Sequence, residues 1–159
     1  MIEFTITGVD ALAARLGVDL TPALRAATFA VGEQLRGKIA KYPGASRQPV
    51  QWSSPGQRLA YIIMRRRAGL PIKYTRNSDP MSQRLGPSWT TEHLGETDAV
   101  VGTRVTYARW VQSAAFQYPM HKATGWVTDA EAIEQLKRDN VIEPIVRDAL
   151  EKALNVGVG

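Results

Sequence analysis

The sequence predicts an α+β fold: a small antiparallel or mixed β-sheet packed by a long N-terminal helix and by C-terminal helices, with long irregular loops between them. Three observations point there. The N-terminus alternates apolar and polar residues, residues 22–40 carry apolar side chains at helical spacing, and residues 142–154 do so again after a β-textured middle. At 159 residues the chain suits one core. Residues 1–154 are accordingly expected to form a single domain, with 155–159 as a frayed tail.

The first element is a strand in which Ile2, Phe4 and Ile6 alternate with Glu3, Thr5 and Thr7 until Gly8. Asp10 then caps a short helix with Leu12 and Leu16 on one face and Gly17 as its stop. Thr21 before Pro22 reads as an N-cap with proline at the first helical position. Leu24, Thr28, Val31, Leu35 and Ile39 follow on one face, giving a helix over 22–40. Residues 41–57 hold three prolines, two glycines and three serines, the composition of a long loop. Ser54 and Pro55 repeat the cap signature ahead of a second helix that ends near Gly69, with Leu59, Ile62 and Ile63 as its apolar face. Breakers at Pro71, Asn77, Asp79 and Pro80 make 70–81 a second loop.

From Leu85 the texture is β: "RLGPSWTTEHL", the turn "GETD" and "AVVGTRVTYA" read as a hairpin with strands between Leu85 and Tyr107, Val101, Thr103 and Val105 sharing one face. Residues 113–127 read as a third irregular loop. Thr128 with Glu131 then forms a capping box for a helix to about Arg138. In the last helix Ile142, Ile145, Val146, Ala149, Leu150, Ala153 and Leu154 make a broad apolar stripe.

Composition narrows the chemistry. The chain has no cysteine, which removes disulfides, thiolate nucleophiles and Cys-ligated metals together. His93 and His121 have no ligand-spaced partner, no serine sits in a G-x-S-x-G turn, and "LGPSW" and "VVGTR" lack the P-loop lysine and the G-x-G-x-x-G spacing. No catalytic, cofactor-binding or metal-binding residues are therefore assigned, and an enzyme has no support from these residues. There is no basic start with an apolar core and no apolar run near the ~20 residues that span a bilayer, so no membrane partner is expected either.

The net charge of +5 is unevenly spread. Between Arg36 and Arg84 eleven Lys/Arg face Asp79 alone, while both flanks are acidic. Such a split suits contact with phosphates, or like subunits joining acidic to basic surfaces. Arg65, Arg66 and Arg67 sit at the end of the second helix, where the helix dipole favours cations, so a solvated helix end is preferred to a binding patch as their first explanation. Trp52, Tyr61 and Tyr74 are interleaved with these arginines, a composition shared by single-strand nucleic-acid grips and protein–protein hot spots. Trp89, Tyr107, Trp110 and Trp126 read as core and boundary aromatics. Gln112, Gln117 and Lys122 lie in or beside a polar loop of the kind that carries contacts.

Three stretches in order, "FTITGVDALAARL", "SQRLGPSWT" and "AVVGTRVTYARWVQ", followed by a closing helix, make the chain resemble the neck and tail-completion proteins of long-tailed bacteriophages, the head–tail joining and minor tail proteins. The resemblance covers nearly the whole chain, and "G-T-x-x-x-Y-A", Gly102 to Ala108, is its strongest motif. The segment "SAAFQYPMHKATGW" departs from the family's usual glycine-bearing loop. The resemblance implies a virion structural subunit without catalysis or cofactor, assembled in the bacterial host cytoplasm as a homo-oligomeric ring at the head–tail junction or the top of the tail tube. Its implied neighbours are head-completion or adaptor proteins and tail-tube or tail-terminator proteins, with DNA passing through unread. On that reading Arg65, Arg66, Arg67, Arg109, Trp110 and Gln112 are the interface candidates. The alternative is a nucleic-acid-binding module using the basic segment from Arg36 to Arg84.

Overall fold

The structure is a computed structural model that describes residues 2–4, 13–14, 17–44, 52–69, 72 and 84–156. Strand β1 (Ile2–Phe4) pairs antiparallel with β3 (Ala99–Thr103), which pairs antiparallel with β2 (Trp89–His93), giving the order β1-β3-β2. The register sets Ile2 opposite Val101 and Thr91 opposite Val101 on the other side. The fold is α+β, and its sheet is antiparallel throughout.

Helix α1 (Thr21–Ile39) is the central element, touching the sheet and both C-terminal helices. Leu24, Thr28, Val31, Leu35 and Ile39, the apolar row anticipated from spacing, are all buried. Gly32 lets the helix lie close on the sheet: a Cβ there would sit 2.7 Å from Thr91 Cγ2 and 3.5 Å from Val101 Cγ2. The helix begins one residue differently from the expectation. Leu20 is the N-cap, and the Thr21 N–H donates to Asp19 Oδ1 at 2.9 Å, so Asp19 rather than Thr21 serves the free helix end. Those hydrogen bonds hold the Asp19 carboxyl below its usual range.

Ala13 and Ala14 are helical, and Gly17 has φ +64, the left-handed conformation expected of a helix stop. Ile6, the rest of that short helix and nearly all of the loop over 70–81 lie outside the described residues. Helix α2 (Pro55–Arg67) starts on Ser54, whose side chain accepts the Gln57 N–H at 3.1 Å, and ends before Gly69 at φ +67. Its apolar residues Leu59 and Ile63 face solvent, and Ile62 is half-buried.

The hairpin stands as expected at its turn, but β3 stops at Thr103, not Tyr107. The cause is local. Thr103 Oγ1 lies 2.7 Å from Ser88 Oγ and accepts the Val105 N–H at 3.2 Å, taking a backbone donor that a longer strand would give to its ladder. The chain then turns into a short helix α3 (Ala108–Gln112) with Tyr107 at its N-cap. A second short helix, α4 (Pro119–Ala123), interrupts the expected loop over 113–127, with Pro119 in its first turn. Helix α5 (Asp129–Arg138) carries the anticipated capping box: Thr128 Oγ1 accepts the Glu131 N–H at 3.2 Å and Glu131 Oε2 accepts the Thr128 N–H at 2.9 Å. Helix α6 (Ile142–Val156) follows and packs on α1. One core joins α1, the hairpin, α3 and α5 through Leu35, Ile39, Leu85, Trp89, Val101, Val111, Ala132 and Leu136. Among the described residues no helix is long and apolar enough to cross a membrane.

Candidate interaction surface

Helix α3 divides its five residues between two environments. Ala108, Val111 and Gln112 lie on the buried side, whereas Arg109, one step round the helix, is exposed and Trp110, the next, is half-buried. Gln112 is only 2% exposed. Its Oε1 accepts the Trp89 indole N–H at 3.0 Å, and its Nε2 donates to the Ile39 carbonyl at 2.5 Å, one of the carbonyls that α1 leaves unpaired at its end. Gln112 is therefore a core bridge, and its expected place in an interface is corrected: both polar ends of the amide are consumed inside the fold.

The outward side continues into the segment after α3. The Tyr118 N–H donates to the Trp110 carbonyl at 2.9 Å, and Gln117 Nε2 donates to the carbonyls of Val111 and Trp126 at 2.8 and 2.9 Å. The Ala114 N–H adds a bond to Asp129 Oδ1 at 2.8 Å. These bonds fix a loop that composition alone marks as irregular. They bring Tyr118 onto Trp110 with ring centres 5.1 Å apart and planes 14° from parallel, and Phe116 edge-on to Trp110 at 6.0 Å and 80°. The Arg109 guanidinium lies 4.2 Å from the Trp110 ring centre, and His121 stacks beyond Tyr118 at 6.5 Å.

The result is a preformed aromatic surface with a cation beside it. Phe116 is 56% and Tyr118 48% exposed, with Met120 exposed next to them. Contiguous exposed aromatics and methionine with an arginine are the composition of protein-recognition surfaces. Burial lowers the pKa of His121, which favours its neutral form. Among the described residues there is no group of three or more acidic or histidine side chains placed to hold a metal.

No family model, curated protein or solved structure matches the chain.

The structure separates the six interface candidates. Arg109 and Trp110 lie together on the aromatic surface. Arg66 and Arg67 are exposed at the end of α2, while Arg65 is 5% exposed and engaged in interactions, so it is a packed residue and not a free surface cation. Phe116, Tyr118 and Met120 were not singled out by sequence reasoning. Their signal was Pro119 in the first turn of a helix, which folds "FQYPMH" back onto Trp110.

Proposed function

We propose that this chain is a non-catalytic structural subunit of the neck of a long-tailed bacteriophage, assembling with copies of itself into a ring at the head–tail junction or the top of the tail tube. The reading joins the order of motifs, from "FTITGVDALAARL" to "AVVGTRVTYARWVQ", with one observation: exposed Tyr118 stacked on half-buried Trp110 beside Arg109 and Phe116. Rings stacked in advance lose little side-chain freedom on docking, so such a surface suits a permanent joint. On this reading it faces a neighbouring head-completion, adaptor, tail-tube or tail-terminator protein, and DNA passes without being read.

Electron microscopy of the purified chain tests the proposal, together with its detection in purified virions. Rings, and presence in particles at a fixed copy number, are expected. Particles that lack the chain while infectious would overturn it.

A second reading is favoured by α2. Arg58, Arg66 and Arg67 are exposed and make no ion pair among the described residues, and Trp52 lies 5.1 Å from Tyr61 at its start. Basic side chains beside aromatics can hold single-stranded nucleic acid. DNA affinity that falls linearly in log salt, without ring formation, would favour this reading.

A further inference from the structure

Among the described residues, two apolar faces besides the aromatic surface meet solvent, an exposed one on α2 and a half-buried one on α6, and they differ in shape. On α2, Leu59 and Ile63, one turn apart, and the adjacent Met64 form a convex ridge; Leu59 is 59% and Met64 60% exposed. On α6, Ile142, Val146, Leu150 and Leu154 recur every fourth residue and, with Leu136 of α5, line an open groove of about 610 Å³. The lengths agree. At 1.5 Å per residue the groove runs ~18 Å from Ile142 to Leu154, and the whole of α2 runs ~20 Å.

The charges agree as well. Helix α2 carries four arginines and no acid. Along the groove, Arg147 pairs with Glu143 and Lys137 pairs with Glu134. Glu151 makes no ion pair among the described residues, so the uncommitted charge on the groove is negative. On the ridge the uncommitted charges are Arg58, Arg66 and Arg67.

We infer that α2 of one copy docks into the α6 groove of the next copy, ridge into groove, with Arg66 and Arg67 directed to the acidic edge at Glu151. The contact joins two different surfaces of the same chain, and a repeated head-to-tail contact of that kind closes into a ring when its rotation allows. An amphipathic helix seated in an apolar groove is a recurrent way to make such a joint. This inference rests on the ring reading above and specifies which surfaces meet within the ring.

Sedimentation velocity on the full chain over a concentration series tests it, using variants at exposed positions. Leu59→Glu with Ile63→Glu should weaken assembly by about tenfold or more, because two charges would enter an apolar groove. Glu151→Arg and the pair Arg66→Glu with Arg67→Glu should each weaken it alone, by like-charge contact. Mixing those last two proteins should restore assembly, since every joint in an alternating arrangement then has opposite charges. If the Leu59→Glu, Ile63→Glu protein forms rings as the wild type does, or the mixture assembles no better than its parts, this contact is wrong while the ring reading stands. A wild type that stays monomeric at every concentration overturns both; if Leu59→Glu also lowers the stability of that monomer, α2 covers the groove of its own chain.

Discussion

The Gln112 side chain accepts the Trp89 indole N–H at 3.0 Å, with both residues buried and 23 positions apart in sequence. Through its other end the same amide reaches the Ile39 carbonyl, so one side chain ties the hairpin, α1 and α3 together. Deleting it leaves a buried donor and a buried acceptor without partners, which costs more than the two bonds contribute net. Gln112→Leu, close to it in volume, is expected to lower unfolding free energy by about 2–4 kcal/mol. Urea unfolding followed by tryptophan fluorescence measures this directly. A loss under about 1 kcal/mol would mean that water or a shifted backbone replaces both partners.

Gly86 is fixed by a different constraint, lack of room. A Cβ at this position would stand 2.4 Å from Tyr42 Cε2 and 2.6 Å from the Ala40 carbonyl oxygen, while the Gly86 N–H donates to Tyr42 Oη at 3.1 Å. The backbone oxygen belongs to the end of α1 and cannot swing aside as a side chain would. Gly86→Ala should therefore destabilise by about 1–3 kcal/mol through overpacking. Tyr42→Phe, which removes only the hydroxyl, should cost about 1 kcal/mol. Thermal melts of the two proteins compare them; an alanine variant as stable as the wild type would show that the turn at Leu85 opens without cost.

Much of this architecture was legible because its signals are periodic or local. The row from Leu24 to Ile39 repeats over about four turns, and Thr128 with Glu131 carries its cap within four residues; both stand in the structure. Helices α3 and α4 have five residues each, too few for a period to emerge from the background of a loop. Asp19 was missed because its role depends on where the chain turns before α1, not on residue type alone. Gln112 is the clearest case on the candidate surface. A glutamine next to a polar loop reads as exposed, and only the meeting of Trp89 and the Ile39 carbonyl, both distant in sequence, makes burial favourable. Arg65 likewise shares its composition with Arg66 and Arg67 but not its environment.

The capping box of α5 offers a separable measurement. Thr128→Ala removes the acceptor for the Glu131 N–H at a buried position, and is expected to cost about 1 kcal/mol, with 0.5–2 as the usual range. Glu131→Ala removes only the reciprocal bond to the Thr128 N–H and should cost less, since Glu131 is exposed. Chemical denaturation of both single variants and the double variant gives the coupling between them. Strict additivity would argue that the two halves of the box act independently.

The last expectation concerns pH and the aromatic surface. His121 stacks beyond Tyr118 at 6.5 Å, and burial lowers its pKa below the ordinary imidazole value of 6.5. The unfolded chain then binds a proton at a higher pH than the folded chain does. Between the two values the unfolded state holds more protons, so stability rises with pH across that window and falls as the solution is acidified from about 6.5 toward the folded value. Below the folded value the loss is complete and the slope from this group vanishes. A titration of His121 by NMR should give a midpoint under that of a free imidazole, and His121→Gln should flatten the dependence of unfolding free energy on pH in the same window. The acid side near the carboxylate range behaves separately: Lys38 at 2.6 Å holds the Asp139 carboxyl below its usual value, so that contribution disappears only as pH falls through the lowered Asp139 value. A His121→Gln protein that keeps the wild-type slope near neutral pH would show that the imidazole titrates alike in the folded and unfolded chain.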